Sequence, residues 1–168
     1  MVSPASGFQI NVSGTWDSSD GDIGTSNLIT FDSSSNDQFL IAKTGQVFTT
    51  IKHTGSASLI LQSPIKVDFE FINSAGSVFS DGFDQVFKGY WANQVGATYD
   101  AGGALTTFQN TTICNSGGLY NTSEININGV VNVSCGSLIT SAENINVSGS
   151  LVIGSQLLGT YGQLSILS

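Results

Sequence analysis

Few side chains in this sequence can move a proton, attack a carbonyl or hold a metal: one histidine, two cysteines and 12 acidic residues among 168. His53 is the sole imidazole, at the end of a strand-like stretch. A serine or cysteine nucleophile needs a base that is itself held by a third group. Nothing marks such a partner for His53, and no Gly-x-Ser-x-Gly surrounds any serine. Zinc sites need clustered Cys and His, which one histidine and two distant cysteines do not supply. Asp68 and Glu70 share a strand face, as the acid and nucleophile of a glycosidase do, but beside Lys66 they read as a solvated face. The chain is therefore read as a protein without catalytic chemistry.

Ligand and cross-link candidates remain. Asp17, Asp20 and Asp22, with Gly21 allowing a sharp turn, suit an oxygen-ligated Ca²⁺. The EF-hand spacing is absent, and the plain alternative is an acidic turn in water. Asp81 and Asp84 form a weaker cluster of the same kind. Tyr90 and Trp91 could stack on a sugar ring, although their spacing with Phe83 and Phe87 argues for core. Lys66, near acids, is a candidate for an isopeptide cross-link, with an ordinary exposed lysine preferred.

Cys114 and Cys135 are read as a disulfide, with two buried free thiols as the alternative. The disulfide would close a loop of about 20 residues, worth about 3 kcal/mol in the chain-entropy model. Five sequons, at Asn11, Asn110, Asn121, Asn132 and Asn146, make N-glycans candidate modifications. Disulfide and sequons together place the chain outside the cell or on a virion.

Composition excludes several classes. Charged residues are only 10% of the chain, the net charge is −8, and the basic residues are four lysines. Nucleic-acid binding needs phosphate neutralisation by Lys and Arg, so it is not expected. No apolar run approaches the roughly 18 residues that span a bilayer, so membrane insertion is not expected either. Residues 1–7 lack the basic and apolar regions of a signal peptide. That fits a removed signal or a virion component.

The elements that must position these residues are strands. Apolar residues alternate through Phe8, Ile10 and Val12, and most clearly through Ile65, Val67, Phe69 and Phe71, opposite Lys66, Asp68 and Glu70. Thr44-Gly45 and Asn128-Gly129 read as hairpin turns. Phe83, Val86, Phe87, Tyr90 and Trp91 recur at helical spacing, with Ser80 as N-cap, so one short helix is expected near 81–92. Ile125-Asn126-Ile127-Asn128-Gly129 is echoed at Ile145-Asn146-Val147-Ser148-Gly149, and again at Ile10-Asn11-Val12-Ser13-Gly14. A stacked solenoid with a period near twenty explains the echo. It wants at least three adjacent copies, so hairpins are preferred. The expected fold is a single all-β domain over residues 1–168, an antiparallel β-sandwich of jelly-roll type. Residues 1–13 form a candidate exchanged strand through Phe8, Ile10 and Val12.

With few charges, no Arg, abundant Ser, Thr and Asn, several sequons and strand-like ends, the chain resembles the subunits of archaeal extracellular filaments, glycosylated threads and donor-strand pili. The resemblance implies a β-sandwich subunit that polymerises with copies of itself by strand exchange. It supplies no functional residues. The first functional expectation is thus a structural filament subunit. A virion capsid or spike protein is the alternative, and a calcium-dependent lectin or adhesin domain a further one.

Overall fold

The computed structural model describes residues 9–21, 28–120, 122–140, 144–154, 156–159 and 163–166. A long sheet runs β1 (Gln9–Val12), β3 (Leu28–Phe31), β5 (Val47–His53), β7 (Ile65–Asn73), β9 (Gln85–Asn93), β11 (Leu105–Asn115), β13 (Glu124–Thr140), β14 (Asn144–Ile153) and β16 (Gln163–Ile166), with β15 (Gln156–Gly159) beside the end of β13. A shorter sheet holds β2 (Thr15–Asp17), β4 (Gln38–Ile41), β6 (Ser58–Leu61), β8 (Ser77–Phe79), β10 (Thr98–Asp100) and β12 (Leu119–Tyr120) in that spatial order. Through β12 the chain visits the two sheets alternately, and every strand pairing is parallel. The fold is a parallel β-solenoid.

This overturns the antiparallel β-sandwich and its jelly-roll form. Alternation reports which face a side chain takes, not the direction of the neighbouring strand. Direction was read from the turns, and those readings fail. Gly45, at φ 80, turns the chain from β4 of the short sheet into β5 of the long one. Gly129, at φ 73, lies inside β13. The twenty-residue echo is coil stacking: Ile125 pairs with Ile145, Ile127 with Val147 and Gly129 with Gly149. The third apparent copy at Ile10 is not equivalent, because it stands on a different part of the coil.

That part is defined by register. Ile10, Ile29, Ile51, Phe71, Trp91, Ile113, Val133 and Ile153 form one column, each paired with the next. The steps run from 19 residues (Ile10 to Ile29) to 22 (Ile29 to Ile51). A second column, in the first half of the long strands, holds Phe48, Val67, Phe87, Phe108, Ile127 and Val147. Leu59, Val78, Tyr99 and Leu119 face them from the short sheet, and all are buried. Phe71, Phe87, Trp91, Tyr99 and Phe108 meet with ring centroids 5.0 to 6.4 Å apart. Aromatic pairs at such distances add to the stability of burial itself.

Between the two columns the long strands bend. Register slips between Phe48 and Thr50 and between Gln109 and Thr111, as at a β-bulge, which bends a strand. Gly89 (φ 73), Asn110 (φ 49) and Gly129 (φ 73) mark this corner in successive coils. Phe69 has the parity of Val67 and Phe71, yet it is 65% exposed where they are buried, because the corner turns it outward. The expected stripe of four apolar residues therefore keeps three. The same corner explains the missing helix. Residues 85–93 are strand β9, with Phe87 and Trp91 inward and Gly89 turned out between them. The four-residue spacing that imitates a helix is two strand steps on either side of a bend.

Candidate functional site

At the end of the second half-strand, one inward column changes character along the solenoid. It begins apolar, Val12 then Phe31, and continues as His53, Asn73, Asn93 and Asn115. All four polar members are buried. Asn73 Nδ2 donates to Asn93 Oδ1 at 2.9 Å and to Thr98 O at 2.8 Å. Asn93 Nδ2 donates to Gly118 O at 2.5 Å, Ala97 O at 3.3 Å and Asn115 Oδ1 at 3.4 Å. Asn115 Oδ1 accepts from Gly118 N at 3.0 Å. The ladder thus ties each coil to the next and closes the turn into the short sheet. A buried amide without such partners would cost about 1–3 kcal/mol.

His53 is the first rung. Its Nδ1 lies 2.9 Å from Asn73 Oδ1; an amide oxygen only accepts, so Nδ1 carries the proton. Nε2 makes no hydrogen bond. Burial pulls the imidazole pKa below its ordinary value, and this outweighs Asn73 and the Ala57 backbone, which favour the protonated ring. His53 thus forms the first rung of the ladder through its bond to Asn73. The sequence carries the signal in retrospect: His53, Asn73, Asn93 and Asn115 each precede a glycine by two or three positions, at steps of twenty or so.

The other candidates are dispersed. Asp17 is exposed and accepts from Ser19 N at 2.9 Å; its hydrogen bonds with Ser19 hold the carboxyl below its ordinary value. Asp20 is exposed in the following turn, and Asp22 lies outside the described residues. No group of three or more His, Cys, Asp or Glu able to hold a metal occurs among the described residues. Asp68 and Glu70 stand on either side of the corner, each paired with a lysine of a neighbouring coil: Lys88 to Asp68 at 3.2 Å, Lys52 to Glu70 at 3.1 Å. Tyr90 points outward while Trp91 is fully buried, so the two form no platform. Lys66 is half-exposed between Val47 and Val86 in the ladder. No helix among the described residues is long and apolar enough to cross a membrane.

Cys114 and Cys135 pair in register on adjacent coils, with Cα atoms 4.6 Å apart, and are joined by a disulfide. Among the sequons, Asn11 and Asn132 are exposed. Asn110 is exposed too, but its Oδ1 accepts from Val130 N at 3.0 Å across the corner. Asn146 is half-buried and donates to Asn126 at 3.1 Å and to Glu124. Asn121 lies outside the described residues.

The ends of the stack are the remaining feature. Among the described residues, β1 pairs with β3 alone and β16 with β14 alone. Ile10 is half-buried and Val12 is buried on β1; Phe8 lies outside the described residues. Compared with known proteins, the chain matches no family model, no curated protein and no solved structure.

Proposed function

We propose that this chain is a structural subunit of an extracellular filament, in which solenoids stack end to end through their terminal strands. What supports the reading is one observation: the described strands form a single stack that is parallel throughout, around an interior filled with apolar side chains. An unpaired strand edge is a template for another chain. A parallel stack is continued by a further copy through the same kind of pairing, a heterologous contact that leads to open polymers. The interior is filled with side chains, and the groups able to do chemistry are dispersed or engaged in the ladder, which suits a scaffold. Negative-stain electron microscopy with sedimentation of the intact chain tests it. Uniform fibres one solenoid wide are expected; a monodisperse monomer at all concentrations counts against the reading.

The virion reading gains support from the outside of the short sheet. Phe39, Ile60 and Phe79 pair in register as a half-buried outward column. An apolar stripe parallel to the axis suits side-by-side packing, as in a closed spike. Sedimentation at the mass of a trimer, without fibres, is the result that would favour it.

A further inference from the structure

Four of the five sequon asparagines fall on described residues, and the fold treats their amides differently. An N-glycan is joined through Nδ2, so the linked amide keeps its oxygen as an acceptor and one N–H as a donor. Asn146 needs more than that. It is half-buried on β14 and donates to Asn126 Oδ1 at 3.1 Å and to Glu124 Oε1, which engages both amide hydrogens. The Asn110 amide lies against Gly129, where an added Cβ would meet its Oδ1, Cγ and Nδ2 at 2.2 to 3.2 Å, and its oxygen accepts from Val130 N. Asn11 is exposed, with its oxygen accepting from Gln9 Nε2 at 2.7 Å.

Asn132 is set apart from these. Val131 and Val133, on either side of it, are fully buried, so alternation turns Asn132 outward from β13. Its ladder neighbours are Thr112 on the coil before and Val152 on the coil after, neither of them charged. It is exposed, and its side chain forms no hydrogen bond with any described residue. Val130, two positions earlier, is 60% exposed; a sugar ring laid over it takes apolar surface out of water. The sequon hydroxyl, Ser134 Oγ, donates to Ile113 O at 3.1 Å. With that hydroxyl engaged and the backbone fixed in the ladder, the folded sequon is no longer a free extended peptide, so sugar transfer precedes the stacking of β13 on β11. The fold then filters which glycans the finished molecule can carry.

We infer that Asn132 carries an N-linked glycan, added to the extended chain and left standing on the outer face of β13 once the coil closes. The donor is a lipid-diphosphate-linked oligosaccharide. Asn132 Nδ2 forms the bond to C1 of the first sugar. The bond from C1 to the diphosphate oxygen breaks, its electron pair leaves with the lipid diphosphate, and the displaced amide proton passes to a base of the transferase. Folding is undisturbed, because no described bond of the ladder or core uses the Asn132 amide. A sugar on Asn146 would instead remove one of the two bonds that tie its side chain to β13. The inference rests on the extracellular location in the filament reading, not on polymerisation, and it stands whether or not Asn11 is modified as well.

Secretion of the full chain from a eukaryotic host, followed by mass spectrometry of the folded fraction, tests this; the probe is the host's own N-glycan. Release by peptide N-glycosidase in heavy-oxygen water should leave labelled aspartate at position 132 and none at position 146. Asn132→Gln should remove the mass of one glycan while leaving the circular dichroism and the thermal midpoint unchanged. Ser134→Ala, which keeps Asn132 but breaks the sequon, should lose the same mass. A folded chain with no sugar on Asn132, or with sugar on Asn146, would overturn the inference. Fibres built from such a chain would leave the filament reading standing, whereas a chain glycosylated at Asn132 that stays monomeric at every concentration would overturn the filament reading alone.

Discussion

His53 donates its Nδ1 proton to Oδ1 of Asn73, 2.9 Å away and one coil on, so a titratable ring occupies the first rung of an asparagine ladder. Burial lowers the pKa of this ring in the folded chain below the ordinary 6.5. Unfolded, the ring binds a proton near that ordinary value, so on the acid side of it the unfolded chain holds more protons. Stability is therefore complete above about pH 6.5, falls as pH drops towards the folded pKa, and levels off below it. Urea midpoints between pH 4 and 8 should show this step. His53→Asn continues the ladder with an amide and should remove it; an unchanged step would assign it to other groups.

Asn93 reaches Asn73, Ala97, Asn115 and Gly118. Asn93→Ala removes one bond each from the Asn73 amide and the Gly118 carbonyl, which keep only those to Thr98 O and from Tyr99 N, and leaves the Ala97 carbonyl without the side-chain bond. We expect a loss of at least about 2 kcal/mol, read by urea denaturation with an unchanged slope. A loss below about 0.5 kcal/mol would mean that water replaces the amide and that the ladder is not closed to solvent.

Gly89 stands at the corner with φ 73, and a Cβ there would collide with the carbonyl oxygen of Phe69. Gly96 has φ 81 but open space around it. Gly96→Ala should cost about 1 kcal/mol, the price of the left-handed conformation alone. Gly89→Ala must also displace backbone in the neighbouring coil, and should cost at least about 3 kcal/mol. Thermal melts of the two variants separate the terms; equal losses would show that the corner yields without resistance.

The Cys114–Cys135 bond spans 21 positions between adjacent coils. Replacing both cysteines by alanine should lower stability by about 3 kcal/mol through the freer unfolded chain, while the far-ultraviolet circular dichroism of the folded state stays the same. Lost strand signal at 25 °C would instead make the bond a condition for stacking.

The residues that declared themselves in the sequence were those whose role is local. Alternation at Ile65, Val67 and Phe71 announces a strand wherever that strand pairs, and the spacing of Cys114 and Cys135 is that of one coil. What failed depended on partners far along the chain. Asn128-Gly129 has the composition of a hairpin turn, but the left-handed conformation that glycine supplies is used here for a corner within one strand. Phe87 and Trp91 imitate a helix because Gly89 interrupts their alternation. The ladder was hidden for another reason: a single asparagine per coil, twenty residues from the next, has no signature in any local window. Only the period joins His53 to Asn115, and the period is blurred because its steps vary from coil to coil.

The disulfide also sets how the molecule would come apart under load. Strand pairing runs from coil to coil, so tension between the two ends peels one coil at a time instead of shearing the whole sheet at once. Each coil of about 20 residues would pay out roughly 70 Å of chain. The coil between Cys114 and Cys135 would not, since the bond bypasses it. A stretched solenoid would therefore give a train of even steps with one coil withheld, and reduction would return that length to the chain.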